Sequence, residues 1–151
     1  MENLFLQTLS IYPVKSLRGY DIAASSVERM GLQYDRRLMV VDEQGDFVTQ
    51  REFASMALIS TNTDGTSMTL SAPGISPLTV ALQTSGRVES VNIWKSKFVA
   101  AIHQGHEAAE WLSHYLGKNV HLVHIADGYK RKVSSEHAVL SDDHVSFADG
   151  Y

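Results

Sequence analysis

The sequence predicts a mainly β fold: a small, mostly antiparallel β-barrel with one helix, α+β at the margin. Three observations carry this. Short apolar segments recur along the chain, and turn residues separate them at close spacing. Only one segment has helical rather than alternating periodicity. The chain has 151 residues, enough for one domain with a buried core.

The elements follow in order. Leu4, Leu6, Leu9 and Ile11 lie in an apolar stretch that stops at Pro13, which predicts a first strand. Leu38-Met39-Val40-Val41 reads as a buried strand. Asp42-Glu43-Gln44-Gly45-Asp46 is a turn, and Phe47-Val48-Thr49 resumes, so the unit reads as a hairpin. Ala57-Leu58-Ile59-Ser60-Thr61 predicts another strand. Thr63-Asp64-Gly65-Thr66 supplies its turn, and Ser67-Met68-Thr69-Leu70-Ser71 alternates as a half-buried strand does. Residues 78–82, 87–94 and 98–102 are further strand candidates. Ala108, Trp111, Leu112, Tyr115 and Leu116 fall on one helical face, and Gly117 stops the helix. His106 is a poor capping residue, which leaves the helix start weakly marked. Residues 120–125 predict a last strand.

From Ala126 the character changes. Lys130-Arg131-Lys132, Ser134-Ser135 and Asp142-Asp143 are polar, and only Val139-Leu140 and Val145-Ser146-Phe147 carry apolar weight. The expected organisation is a barrel domain over residues 1–126 and a linker leading into a further domain over residues 127–151. The chain thus reads as an N-terminal piece; the alternative for its end is a disordered tail.

Composition narrows the function. A formal net charge of -4 argues against a dedicated nucleic-acid binder, so any anion site must be a local concentration of charge. The absence of cysteine excludes disulfides, thiolate metal ligands and a cysteine nucleophile within this chain. It is compatible with a reducing cytoplasm, the expected location. Met1-Glu2-Asn3-Leu4 lacks the basic start and apolar stretch of a signal peptide, and no run approaches the ~20 apolar residues of a membrane span.

The most informative residues are Ile11-Tyr12-Pro13-Val14-Lys15-Ser16-Leu17-Arg18-Gly19. A proline, two cations, a hydroxyl and a glycine directly follow an apolar run. Lys, Arg, Ser and backbone N–H groups gathered in a tight loop make an anion site, most often for phosphate. A second basic cluster, Asp35-Arg36-Arg37, enters a strand, and a third, Thr49-Gln50-Arg51-Glu52, leaves the hairpin. If those strand ends share a rim, they suit a phosphate, pyrophosphate or carboxylate. For any single arginine the competing reading is a solvated surface charge. Lys15, held by Pro13 beside Ser16, favours a binding role. Glu52 is placed to pair with Arg51 or Arg36 and orient it; exposed pairs contribute about 0–1 kcal/mol.

The other chemistry-bearing residues are less specific. His103/His106 and His121/His124 are spaced three apart, but the first pair straddles a probable loop at Gln104-Gly105, and strand positions three apart, as in the second, face opposite sides. With no carboxylate at a zinc-like spacing, these rank as surface histidines, and no metal ligand or catalytic residue is assigned. Walker, dinucleotide-binding and Gly-x-Ser-x-Gly signatures are missing. Trp94, Trp111 and Tyr115 read as core aromatics.

Residues 11–19 resemble the opening signature of the MOSC N-terminal β-barrel domain. Gly31-Leu32-Gln33-Tyr34-Asp35-Arg36-Arg37 with Leu38-Met39-Val40-Val41-Asp42 resembles its next block. Phe47-Val48-Thr49-Gln50-Arg51-Glu52 with Met56-Ala57-Leu58-Ile59 resembles the one after. Gly105-His106-Glu107-Ala108-Ala109-Glu110-Trp111-Leu112 resembles its helix, and residues 143–151 resemble the start of the MOSC domain proper. Within that family the chain resembles YcbX-like proteins and the mitochondrial amidoxime-reducing component.

The resemblance implies that the barrel packs against a C-terminal MOSC domain of the same protein. Together they hold the molybdenum cofactor (molybdopterin), with the metal's cysteine ligand in the MOSC domain. It assigns Lys15, Ser16 and Arg36 to the pterin's phosphate, and it matches Arg51 to the family's arginine after the hairpin. The parent would be an oxidoreductase acting on N-hydroxylated or N-oxygenated compounds with a ferredoxin-like electron donor, and this piece alone would be inactive. The alternative is a cofactor carrier or sulfur-transfer module, as in the C-terminal part of molybdenum cofactor sulfurases. Pyridoxal phosphate would then belong to a fused aminotransferase-like domain. A purely structural barrel that docks the MOSC domain is a third reading. Phe53-Ala54-Ser55 departs from the family's usual aromatic-Pro-Arg, losing one positive charge beside Arg51.

Overall fold

The computed structural model describes residues 4–148. Its elements are β1 (Ser10–Ile11), β2 (Tyr20–Asp21), β3 (Val27–Glu28), β4 (Gly31–Leu32), β5 (Leu38–Asp42), β6 (Ser60–Thr63), β7 (Ser67–Ala72), β8 (Ile75–Ala81), β9 (Val88–Ile93), β10 (Ser96–His103), α1 (His106–Leu116) and β11 (Val120–Ile125). One sheet has the order β5-β11-β10-β9 and a second has β6-β7-β8, while β1-β2 and β3-β4 are short ribbons. All these pairings are antiparallel. The sheets curl into a half-barrel, so the mainly β barrel with one helix is the observed fold.

β5 shows why. Leu38-Met39-Val40-Val41 has no polar face, so the strand must be covered on both sides. Successive side chains alternate, and each side meets a different core. Leu38 and Val40 join a cluster with Met56, Met68, Leu70, Leu112 and Leu122. Met39 and Val41 join Val91, Ile93, Val99, Val123 and Phe147. The helix α1 closes the first cluster with Ala108, Trp111, Leu112 and Leu116. Its N-cap is Gly105, with no side-chain capping bond, and it ends at Gly117 in the left-handed region, whose N–H reaches the Ser113 carbonyl at 2.9 Å.

Three local expectations are corrected. Residues 4–9 are not a strand: β1 begins at Ser10, and Leu4, Phe5 and Leu6 are exposed. Ala57 and Leu58 lie in a 3-10 turn over Ala54–Leu58 that buries Met56, so the next strand starts at Ser60. The turn closes through the Met56 N–H on the Phe53 carbonyl and the Ile59 N–H on the Met56 carbonyl. β8 starts at Ile75, ahead of the expected Leu78; Pro77 is tolerated because β8 is an edge strand.

The turn before β7 is held by Asp64. Its Oδ1 accepts the Thr66 and Ser67 N–H groups at 2.8 Å each, together with both hydroxyls. These bonds, the Ser67 N–H foremost, lower its pKa from 3.8 to about 2. The folded carboxylate therefore stays charged where the unfolded one takes a proton. The turn's contribution is complete above pH 3.8 and is lost as pH falls through about 2. We expect the gap in melting temperature between wild type and Asp64→Ala to shrink steadily over that window in acid melts.

Beyond β11 the chain returns to the barrel. The Arg131 guanidinium donates to the carbonyls of Ser146 and Ala148 at 2.8 and 2.9 Å, and Phe147 is fully buried in the second core. Residues 149–151, which end the block expected to lead into a further domain, lie outside the described residues, as do residues 1–3.

Candidate anion-binding site

The loop after β1 is stitched alongside the start of β5. The Tyr12 N–H donates to Asp35 Oδ1 at 2.8 Å, and the Arg36 N–H donates to the Tyr12 carbonyl at 2.7 Å. The Lys15 N–H reaches the Leu38 carbonyl at 2.8 Å, and Val14 and Leu38 form a parallel bridge. The third basic segment joins through Gln50 Nε2, which donates to the Ser16 carbonyl at 2.8 Å. Gly19 lets the loop close: a Cβ there would sit 2.5 Å from the Ile11 carbonyl oxygen and 2.7 Å from the Tyr12 ring.

These bonds bring Lys15, Ser16, Arg36 and Arg51 together in one cleft of about 290 Å³, lined also by Tyr12, Thr49, Gln50 and Trp94. Among the described residues, no carboxylate lines the cleft. Each cation lies over an aromatic ring. Lys15 Nζ is 5.4 Å from the Trp94 ring centroid and 5.8 Å from that of Phe47. Arg51 Cζ is 5.5 Å from Trp94, and Arg36 Cζ is 5.0 Å from Tyr12. Arg36 is further oriented by an ion pair from its Nη1 to Asp35. Ser16, Arg36 and Trp94 all have positive φ, at 64°, 51° and 52°. Non-glycine residues held there cost of order 1 kcal/mol each, and such residues gather at functional sites. The arrangement can bind an anion through charge-assisted donors.

Not every basic residue joins. Arg18 is exposed and its backbone serves the barrel instead, with its N–H on the Ile59 carbonyl and its carbonyl accepting from Thr61. Arg37 is 6% exposed, and Glu28 and the carbonyls of Met30, Leu32 and Asp35 occupy its guanidinium. It borders a larger cavity of about 350 Å³ that also contains Glu28, His124 and Asp127. With its arginine already engaged and two carboxylates in its wall, that cavity does not suit an anion. Glu52 accepts the Thr49 N–H at 3.2 Å, a local cap rather than the expected partner for an arginine.

Trp94 is not a core aromatic. It is 40% exposed, sits between β9 and β10, and forms one wall of the cleft. Tyr12 also lies outside the expected set. The signal for such a wall is Trp94-Lys95-Ser96-Lys97, an aromatic at a polar, basic turn between two strands. Trp111 is buried as expected and donates Nε1–H to the Ser76 carbonyl at 2.7 Å. His103 and His121 stack with ring centroids 4.8 Å apart, and His121 Nε2 lies 2.7 Å from Glu89. Burial, with His121 adding to it, lowers the His103 pKa; burial also lowers that of His124, which borders the larger cavity.

The model of the MOSC N-terminal beta barrel domain matches residues 3–119. The chain belongs to the MOSC N-terminal barrel family. The match contains all four cleft residues expected from the sequence. Among similar proteins, molybdenum cofactor sulfurase 1 of Aedes aegypti is 32% identical over 115 residues, 72% of this chain. Mitochondrial amidoxime-reducing component 1 of Danio rerio is 31% identical over 155 residues, 93% of this chain. The chain spans 15% of the length of the first and 46% of the second. The solution structure of a protein from Bordetella bronchiseptica superposes with a TM-score of 0.52 at 16% identity, covering 69% of this chain and 89% of that one. At that identity it shows a shared fold alone.

Proposed function

We propose that this MOSC N-terminal barrel grips the phosphate of the molybdenum cofactor within an oxidoreductase for N-hydroxylated or N-oxygenated compounds. One observation carries the reading. Cations from three separate segments, Lys15, Arg36 and Arg51, meet with the Ser16 hydroxyl in a cleft with no carboxylate among its described lining residues. That donor set fits a phosphate. The chain has no cysteine, so a thiolate for the metal would come from a C-terminal MOSC domain. When bound, the cofactor supplies the redox chemistry. Lys15, Arg36 and Ser16 donate to the phosphate oxygens, and Asp35 keeps the Arg36 guanidinium oriented. Arg51 adds charge from the more exposed side. The family membership and the amidoxime-reducing relatives support the cofactor part of this reading; under it, a ferredoxin-like protein would be the electron donor.

The sulfurases among the similar proteins favour a second reading. There the same clamp would serve cofactor carriage or sulfur transfer without redox turnover, and pyridoxal phosphate would belong to a fused aminotransferase-like domain. The test is molybdenum and pterin analysis of the full-length protein purified under reducing conditions. We expect both, near one per protein. A pure, folded protein without molybdenum would remove both readings. The domain fused in the full-length gene, ferredoxin-like or aminotransferase-like, separates one from the other.

A further inference from the structure

We propose that Trp94 is the positioning residue of the anion site: one indole holds Lys15 and Arg51 side by side, so the site is assembled before its anion arrives. The inference rests on the reading of the cleft as an anion site. Both cations lie within 5.5 Å of the same ring centroid. Two like charges gathered in one cleft repel each other, and the negative face of an aromatic ring attracts both. Lys15 is 4% exposed, so its side chain is held in the wall. Arg51 is exposed, and in the absence of the ring nothing described on that wall holds it over the cleft.

The ring itself is braced. Phe47 packs against it with centroids 4.8 Å apart and planes tilted by 56°, and Phe47 also lies under Lys15. The backbone of Trp94 is left-handed, at φ 52°, where glycine or asparagine would sit with less strain. A large, partly exposed tryptophan is an expensive choice for that turn unless its ring is used. Its use here is to replace ordering on binding with order already present, which raises affinity without a new contact to the ligand.

The left-handed backbone gives a clean test. Trp94→Gly removes the ring and keeps the turn, Trp94→Asn does the same with a side chain, and Trp94→Phe restores an aromatic face. Inorganic phosphate is titrated into each protein by calorimetry at low salt, with thermal melts to show the fold. Losing two cation–aromatic contacts should weaken phosphate binding about 10-fold in Trp94→Gly and Trp94→Asn. Trp94→Phe should stay within about 3-fold of wild type. Wild-type affinity in folded Trp94→Gly or Trp94→Asn would overturn the inference, as would a Trp94→Phe variant no better than Trp94→Gly. If wild type does not bind phosphate, or Lys15→Ala binds it unchanged, the anion-site reading fails instead, and this inference with it.

Discussion

Lys15→Ala is expected to weaken phosphate binding roughly 10- to 150-fold, the loss of a charged hydrogen bond worth about 1.5–3 kcal/mol. Lys15 is the most buried of the cleft cations, at 4% exposure, and its ammonium faces two aromatic rings in a cleft with no carboxylate among its described lining residues. Charge there is weakly screened, so each cation matters more than it would on the open surface. Thermal melts of the same protein accompany the titration, because binding lost by a variant that still folds separates a ligand contact from a structural one. In the full-length protein the matching result is a several-fold fall in molybdenum and pterin content for Lys15→Ala and Arg36→Ala. Unchanged content in both would leave the barrel as a docking scaffold for its neighbouring domain.

Lys15 and Ser16 are legible because they sit in one nonapeptide whose proline, cations and glycine announce a tight anion loop. Arg36 and Arg51 are legible as charges at strand ends, and the fold supplies their convergence through bonds such as Gln50 to the Ser16 carbonyl. Arg18 and Arg37 show the limit of composition. They lie in the same basic clusters, yet one backbone serves β6 and the other guanidinium is consumed by Glu28 and three carbonyls. Trp94 escapes sequence reasoning because a lone tryptophan beside an apolar strand is usually buried. Only the hairpin geometry, with φ 52° at that residue, turns the ring outward over the cleft. The 3-10 turn at Ala54–Leu58 escapes it for a related reason: an apolar run of that length cannot be told from a strand until Met56 is seen to dip into the core.

Phe147→Ala is expected to lower stability by about 3–5 kcal/mol, a shift on the order of 10 °C in melting temperature for a domain of this size. By sequence, Phe147 is one of the few apolar residues in an otherwise polar segment expected to lead into a further domain, and surface residues of such segments usually tolerate change within about 0.5 kcal/mol. The fold buries this one. Phe147 is fully buried in one cluster with Met39, Val41, Val91 and Ile125, and its removal leaves a ring-sized void in the second core. The matching control is Val139→Ala: residue 139 is 90% exposed in the same stretch and should shift nothing measurable. Calorimetry of the two variants decides whether this return segment is part of the domain, because equal melting temperatures would mean that it is not. The effect should also reach the cleft. The Phe147 N–H donates to the Arg36 carbonyl at 3.0 Å, and the Ser146 hydroxyl donates to the Asp35 carbonyl at 3.3 Å. These bonds hold the backbone that presents Arg36 in its left-handed conformation. Releasing the segment should therefore cost phosphate affinity as well as stability, although no atom of Phe147 lines the cleft. The arginine of the site is thus fixed by the returning segment itself, and stability and affinity should fall together when that segment is released.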